Sequence, residues 1–181
     1  MKPIPKNQSS TARTSPAQAN ESPFSTAKNG GPDRLPTLVI HPRDARKPGE
    51  EAQNRLNAAL FEAAKEGRTR RLQELAGKGA DVNARDELLW TPLMFAADAG
   101  HTETAEMLTI LGARVNTKDN VWWTALMHAS YKGHTKTAEM LISHRADVNA
   151  TDTEGRTALW WASMNHVETA AMLMKYGARL G

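Results

Sequence analysis

The chain repeats itself at a fixed step, and that step constrains its fold more than any other feature. Thr91, Thr124 and Thr157 stand 33 residues apart, as do Leu93, Leu126 and Leu159, and Ala96, Ala129 and Ala162. The segments Gly79-Ala-Asp-Val-Asn83, Gly112-Ala-Arg-Val-Asn116 and Arg145-Ala-Asp-Val-Asn149 keep the same step. A fourth, Gly177-Ala-Arg-Leu-Gly181, arrives after 32, which places a one-residue deletion around Ser163 to His166. A unit that recurs in this way cannot bury its own apolar face. It gains stability by stacking on its neighbours, for which about three copies are the minimum.

Within one copy, Thr91-Pro-Leu-Met-Phe-Ala-Ala reads as a helix start. A threonine hydroxyl caps free backbone N–H groups, and proline fits the first turn because no N–H is needed there. Gly100 suits the left-handed residue that ends a helix. A second helix follows, with Ala105, Leu108 and Leu111 at helical spacing. Gly112 and a non-helical stretch lead to the next threonine. Each copy is therefore helix, turn, helix, loop, with alanines at the contact positions so that neighbouring helices approach closely.

This pattern resembles the ankyrin repeat. Asp86 precedes Thr91-Pro92-Leu93, and Ala96-Ala97 leads to Gly100-His101. Asp119 precedes Thr124-Ala125-Leu126 and leads to Gly133-His134; Asp152 precedes Thr157-Ala158-Leu159 and leads to His166. The first copy is partial, matching at Leu60, Ala63-Ala64 and Gly67-Arg68. The resemblance implies an all-α solenoid of about four helix-turn-helix repeats, at about 54–86, 87–119, 120–152 and 153–181, with loops projecting as a row of fingers. It also implies protein–protein binding on the concave side. Three departures stand out. The loop glycine survives only as Gly155, its place being taken by Leu89 and Trp122, which forces large side chains into a slot suited to positive φ. Met94, Met127 and Trp160 replace the family's histidine, and the glycine before His166 is lost.

Residues 1–53 read as a disordered Pro/Ser-rich tail before a repeat domain over 54–181. Eight of the nine prolines fall within residues 1–50, a composition that buries too little apolar surface to offset chain entropy. The patch Leu35-Pro-Thr-Leu-Val-Ile40 either docks on the folded part or stands idle. The tail also carries the whole net charge of +3, with eight Lys/Arg against five Asp/Glu, while residues 54–181 hold fifteen of each. Nucleic-acid binding is therefore not expected of the repeats. The first twenty residues lack the apolar centre of a secretory signal peptide. A Ser-rich secretion signal and a plain flexible tail both stay open, with the cytoplasm as the expected compartment. The absence of cysteine removes disulfides and thiolate chemistry, and no apolar run is long enough to span a membrane.

No constellation points to catalysis, a cofactor or a metal. His101, His134 and His166 step one repeat at a time, and stacked helices about 8–10 Å apart do not bring such side chains to one ion. His128 shares a helical face with Tyr131, but no nucleophile or phosphate-cradling loop adjoins it, so a surface contact is the expected role. Asp81-Val-Asn83 and Asp147-Val-Asn149, with Leu75 and Leu141 upstream, resemble asparagine-hydroxylation sites of ankyrin domains, but the fold explains the same residues.

The aromatics point to a partner. If the loops are extended, Leu88 with Trp90 and Val121 with Trp123 face one way on neighbouring fingers, while Leu89 and Trp122 alternate with them. Phe95 with Asp98, His128 with Tyr131, and Trp161 with Met164 add pairs one turn apart on the first helices. Trp and Tyr anchor interfaces. The expected function is non-catalytic binding of a protein through this loop row and helix face, with Asp98, Lys132, Glu154 and Arg156 orienting the partner at the rim. On this reading Trp122 is a packing residue and Trp123 a contact. A host-directed or toxin-like effector, or an inhibitor or stabilising subunit of a co-encoded enzyme, are the alternatives. The last helix shows Ala170, Met172, Leu173 and Met174, so self-association there, or cover by Leu35–Ile40, is also expected.

Overall fold

The structure is a computed structural model that describes residues 48–181. Of the tail expected over residues 1–53, residues 1–47, with the Leu35–Ile40 patch, lie outside the described residues. These fold into eight helices and no strand: α1 (Pro48–Lys65), α2 (Thr69–Gly77), α3 (Pro92–Asp98), α4 (Thr102–Ile110), α5 (Ala125–Tyr131), α6 (Thr135–Ser143), α7 (Ala158–Ser163) and α8 (Val167–Lys175). Odd-numbered helices pack in one row, even-numbered helices in a second, and each pair closes on itself. This is the four-repeat α-solenoid.

The local chemistry is that of the repeat. Thr91, Thr124 and Thr157 have extended backbones, and their hydroxyls accept from the backbone N–H of Met94, Met127 and Trp160. Leu93, Ala96, Leu126, Ala129, Leu159 and Ala162 are buried behind these caps, together with Leu72, Leu108, Leu141 and Leu173 from the second row. Each buried leucine contributes about 2 kcal/mol of apolar transfer. Met94 and Met127, where the resemblance implies a histidine, are also buried, and the sulfur of Met94 accepts from the N–H of Thr91 at 3.4 Å.

Helix α1 starts at Pro48, inside the segment assigned from sequence to the tail. Glu50 and Glu51 in its first turn complement the positive end of the helix dipole. Its side chains also brace the next loop: Gln53 donates to the carbonyl of Gly79 at 2.9 Å, and Asn57 accepts from the N–H of Asp81 at 2.9 Å. Tail-like composition therefore hid a structured helix start.

Three ladders tie one repeat to the next. Threonine hydroxyls pair as Thr69–Thr104, Thr102–Thr137 and Thr135–Thr169 at 2.7–2.8 Å. Asn83, Asn116 and Asn149 each accept from the N–H of Arg114, Asp147 and Arg179 and donate to the carbonyl of Gly112, Arg145 and Gly177. His101, His134 and His166 direct Nε2 to the carbonyls of Lys65, Asp98 and Tyr131 at 2.8–3.0 Å. The imidazole of His134 lies so close over Gly100, at φ +74°, that a Cβ there would sit 2.6 Å from Nδ1.

Repeat four departs where the deletion was expected. The N–H of His101 and His134 bonds to Ala96 and Ala129, five residues back, whereas His166 bonds to Ala162, four residues back. The missing residue therefore lies between Ala162 and His166. Leu89 and Trp122 have φ of 63° and 66°, the left-handed region expected for a glycine slot. Arg145 joins them at 67°, in the place of Gly79 and Gly112. A non-glycine residue in this region costs roughly 1–2 kcal/mol.

Candidate binding face

Each projecting loop is built around one aspartate. Oδ1 of Asp86 accepts from the N–H of Leu88 and Trp90, Oδ1 of Asp119 from Val121 and Trp123, and Oδ1 of Asp152 from Glu154 and Arg156, all at 2.8–2.9 Å. The aspartate backbone N–H closes the turn on the carbonyl four residues on. The second oxygen is satisfied differently in each repeat. Oδ2 of Asp119 accepts from Nε2 of His128 at 3.1 Å, and Oδ2 of Asp152 accepts from Nε of Arg156 at 2.9 Å and from Nε1 of Trp161 at 3.2 Å. Phe95, at the equivalent position of repeat two, has no donor, and Asp86 is correspondingly only half-buried while Asp119 and Asp152 are buried.

Burial alone would raise the pKa of both carboxylates. Hydrogen bonds outweigh it. His128 and the N–H groups of Trp123 and Val121 hold Asp119 below the ordinary aspartate value, and the N–H groups of Arg156 and Glu154 with the Arg156 guanidinium do the same for Asp152. Both stay ionised at neutral pH.

A tilted aromatic column runs along the loop bases and the odd-numbered helices. Phe61 meets Phe95, Phe95 meets Trp90, and Trp90 meets His128 at 4.2 Å between ring centroids. His128 meets Trp123 at 5.1 Å, and Trp123 meets Trp161 at 4.4 Å and Tyr131 at 5.5 Å. The Arg156 guanidinium lies over Trp161 at 4.2 Å and Trp160 at 4.9 Å while also pairing with Glu154 at 2.7 Å. Asp98 and Lys132 sit beside the column, 3.8 Å apart. Tyr131 and Met164 are exposed on the same helix rows.

Several expectations change. His128 is not a surface contact, because only 3% of it is exposed. Its ring is clamped between two indoles, with Nε2 on Asp119 and Nδ1 3.9 Å from Oδ1 of Asp98. Its polar atoms thus face two carboxylates rather than Tyr131. The extended alternation of the loops also fails. The N–H of Leu89 and Trp122 bonds back to Asp86 and Asp119 in a turn, so Leu88, Leu89, Val121 and Trp122 are all exposed at the fingertips. Trp90 and Trp123 instead lie half-buried against the core, as do Phe95 and Trp161. The assignment of the tryptophan pair therefore reverses in emphasis. Trp122 is 53% exposed, touched by the Lys118 ammonium at 5.0 Å, while Trp123 is the packed member.

Phe61 and Lys118 belong to this face and were missed from the sequence. Lys118 donates to the carbonyl of Thr151 at 2.7 Å, across to the next loop. The neighbouring fingers are also joined through backbone, Asn120 to Leu88 and Thr153 to Val121. The apolar tips thus stand on a braced base. The ladder histidines each spend Nε2 on a carbonyl, and no group of His, Asp and Glu suited to a metal ion occurs among the described residues. No described helix is long and apolar enough to cross a membrane.

No curated protein matches the chain. The family model for ankyrin repeats, a set of three copies, matches residues 24–119 and 111–181. With the capped helix pairs, the three ladders and the aspartate-centred loops, that match shows that the chain belongs to the ankyrin repeat family, whose members generally serve as protein–protein interaction modules.

Proposed function

We propose that this chain is a non-catalytic module that binds a protein partner through its fingertips and the adjoining odd-helix face. The observation that carries this reading is the apolar row Leu88, Leu89, Val121 and Trp122 on two adjacent loops. Two of these residues, Leu89 and Trp122, occupy the left-handed position that Gly155 takes in loop four, at a conformational cost that a glycine would avoid. Contiguous exposed apolar surface marks an interaction site, and tryptophan is a favoured anchor. Tyr131 and Met164 extend the surface, with Trp90, Phe95, Trp123 and Trp161 as its half-buried floor. Asp98, Lys132, Glu154 and Arg156 supply charges at its rim. His128 supports the floor and does not contact the partner.

The test compares proteins captured by wild-type chain with those captured by Leu88→Ser/Trp122→Ser. Both substitutions lie on exposed tips, so melting is expected to change little. Loss of the specific captured protein at unchanged melting supports the reading. Equal capture by both forms rejects the fingertips as the binding surface.

A further inference from the structure

The fourth repeat lacks, on its outer side, all three devices by which the repeats hold one another. Thr69, Thr102 and Thr135 reach the threonine of the following repeat, and the corresponding residue of repeat four is Val167. Asn83, Asn116 and Asn149 span to the following repeat, and the corresponding residue is Gly181. Gly67, Gly100 and Gly133 lie under the next histidine, and the corresponding residue is Asn165. A further repeat stacked in the same register would find no ties. Yet the face stays apolar, with Val167, Met174 and Leu180 exposed by 83%, 58% and 63%. The outer side of repeat one is unlike it: among the described residues, no large apolar side chain is exposed on α1 or α2.

We infer that this face is the interface of a two-fold dimer, in which α8 lies antiparallel to α8 of a second copy. Val167, Ala171 and Met174 share one stripe of α8, with the small Ala171 at its centre allowing the helix axes to approach. Glu168 and Lys175 border one flank of that stripe, at opposite ends of the helix. A two-fold axis near Ala171 reverses the helix direction while keeping the flank on the same side. It therefore sets each Glu168 opposite the second copy's lysine at 175, twice over. A parallel arrangement puts the two flanks on opposite sides and makes neither pair. The self-complementary pattern is what a two-fold contact requires. A contact of one helix on one helix is small by the standard of stable complexes, so the dimer is expected to form only as concentration rises. It lies on the outer side of repeat four and does not depend on the binding face proposed above.

Sedimentation of the full chain from micromolar to millimolar concentration tests this. The wild type is expected to pass from monomer to dimer, and Val167→Glu, with unchanged melting, to remain monomeric. Glu168→Lys and Lys175→Glu each place like charges opposite one another and should weaken the dimer roughly tenfold or more. Mixing these two variants restores both pairs, so the mixture should dimerise more tightly than either alone. A wild type that stays monomeric throughout, a Val167→Glu variant that still dimerises, or a mixture no tighter than its components overturns the proposal.

Discussion

The loops of repeats three and four are built on the same aspartate and used differently. In loop four Gly155 takes the left-handed position at φ 78°, flanked by Glu154 and Arg156, and Arg156 folds back to pair with Asp152. In loop three Trp122 occupies that position at φ 66°, flanked by Val121 and Trp123, and a buried histidine replaces the arginine. Loop four is relaxed, polar and self-satisfied. Loop three accepts backbone strain and exposes an indole. A shared scaffold thus leaves the tip free to vary, and the variation runs against stability where apolar surface is presented.

The largest expected effect falls on the scaffold. Asp119→Ala removes the partner of a buried imidazole and two backbone N–H groups, and should cost about 3 kcal/mol in denaturant unfolding. Asp152→Ala should cost less, about 2 kcal/mol, because Arg156 keeps Glu154 and some exposure to water. Equal losses would show that the buried histidine adds nothing to loop three. Acid should weaken both loops. Each carboxylate is held below its unfolded value of 3.8, so the unfolded chain takes up protons first as the pH falls. The stabilisation is complete above about pH 5 and is lost as pH falls through the folded values. The Asp119→Asn/Asp152→Asn double variant should show a shallower loss of stability between neutral pH and acid. The smallest effect concerns the left-handed residue itself. Gly155→Ala should cost about 1 kcal/mol, and Trp122→Gly should be about 1 kcal/mol more stable than Trp122→Ala. A zero difference at either loop would remove the strain argument there.

The solenoid was legible because its signals are local and periodic. The 33-residue step, the threonine caps and the histidines after each turn all arise from contacts that recur in every copy. The deletion near His166 and the strain at Leu89 and Trp122 were readable for the same reason, as exceptions to a period. The binding face was less so. His128 shares its repeat position with Phe95 and Trp161, so periodicity placed it beside half-exposed rings. Its burial follows from Asp119, nine residues earlier, and from two indoles that close over it. That Trp161 also donates to the aspartate nine residues before it was a pattern available in the sequence. The tips depart from expectation because the alternation of an extended strand does not hold in a turn closed by the N–H of Leu89 and Trp122. The start of α1 was hidden because Pro48, Gly49 and Glu50 serve equally as tail composition and as a helix beginning.

On the proposed reading, Trp122 is kept at the tip of loop three for a partner and not for the fold. The most direct measurement is capture of that partner by Trp122→Ala and Trp122→Gly, set beside the unfolding free energy of each. Both variants are expected to lose capture to the same degree while differing in stability by about 1 kcal/mol. Capture that survives in both variants, or that follows stability from one to the other, would contradict it.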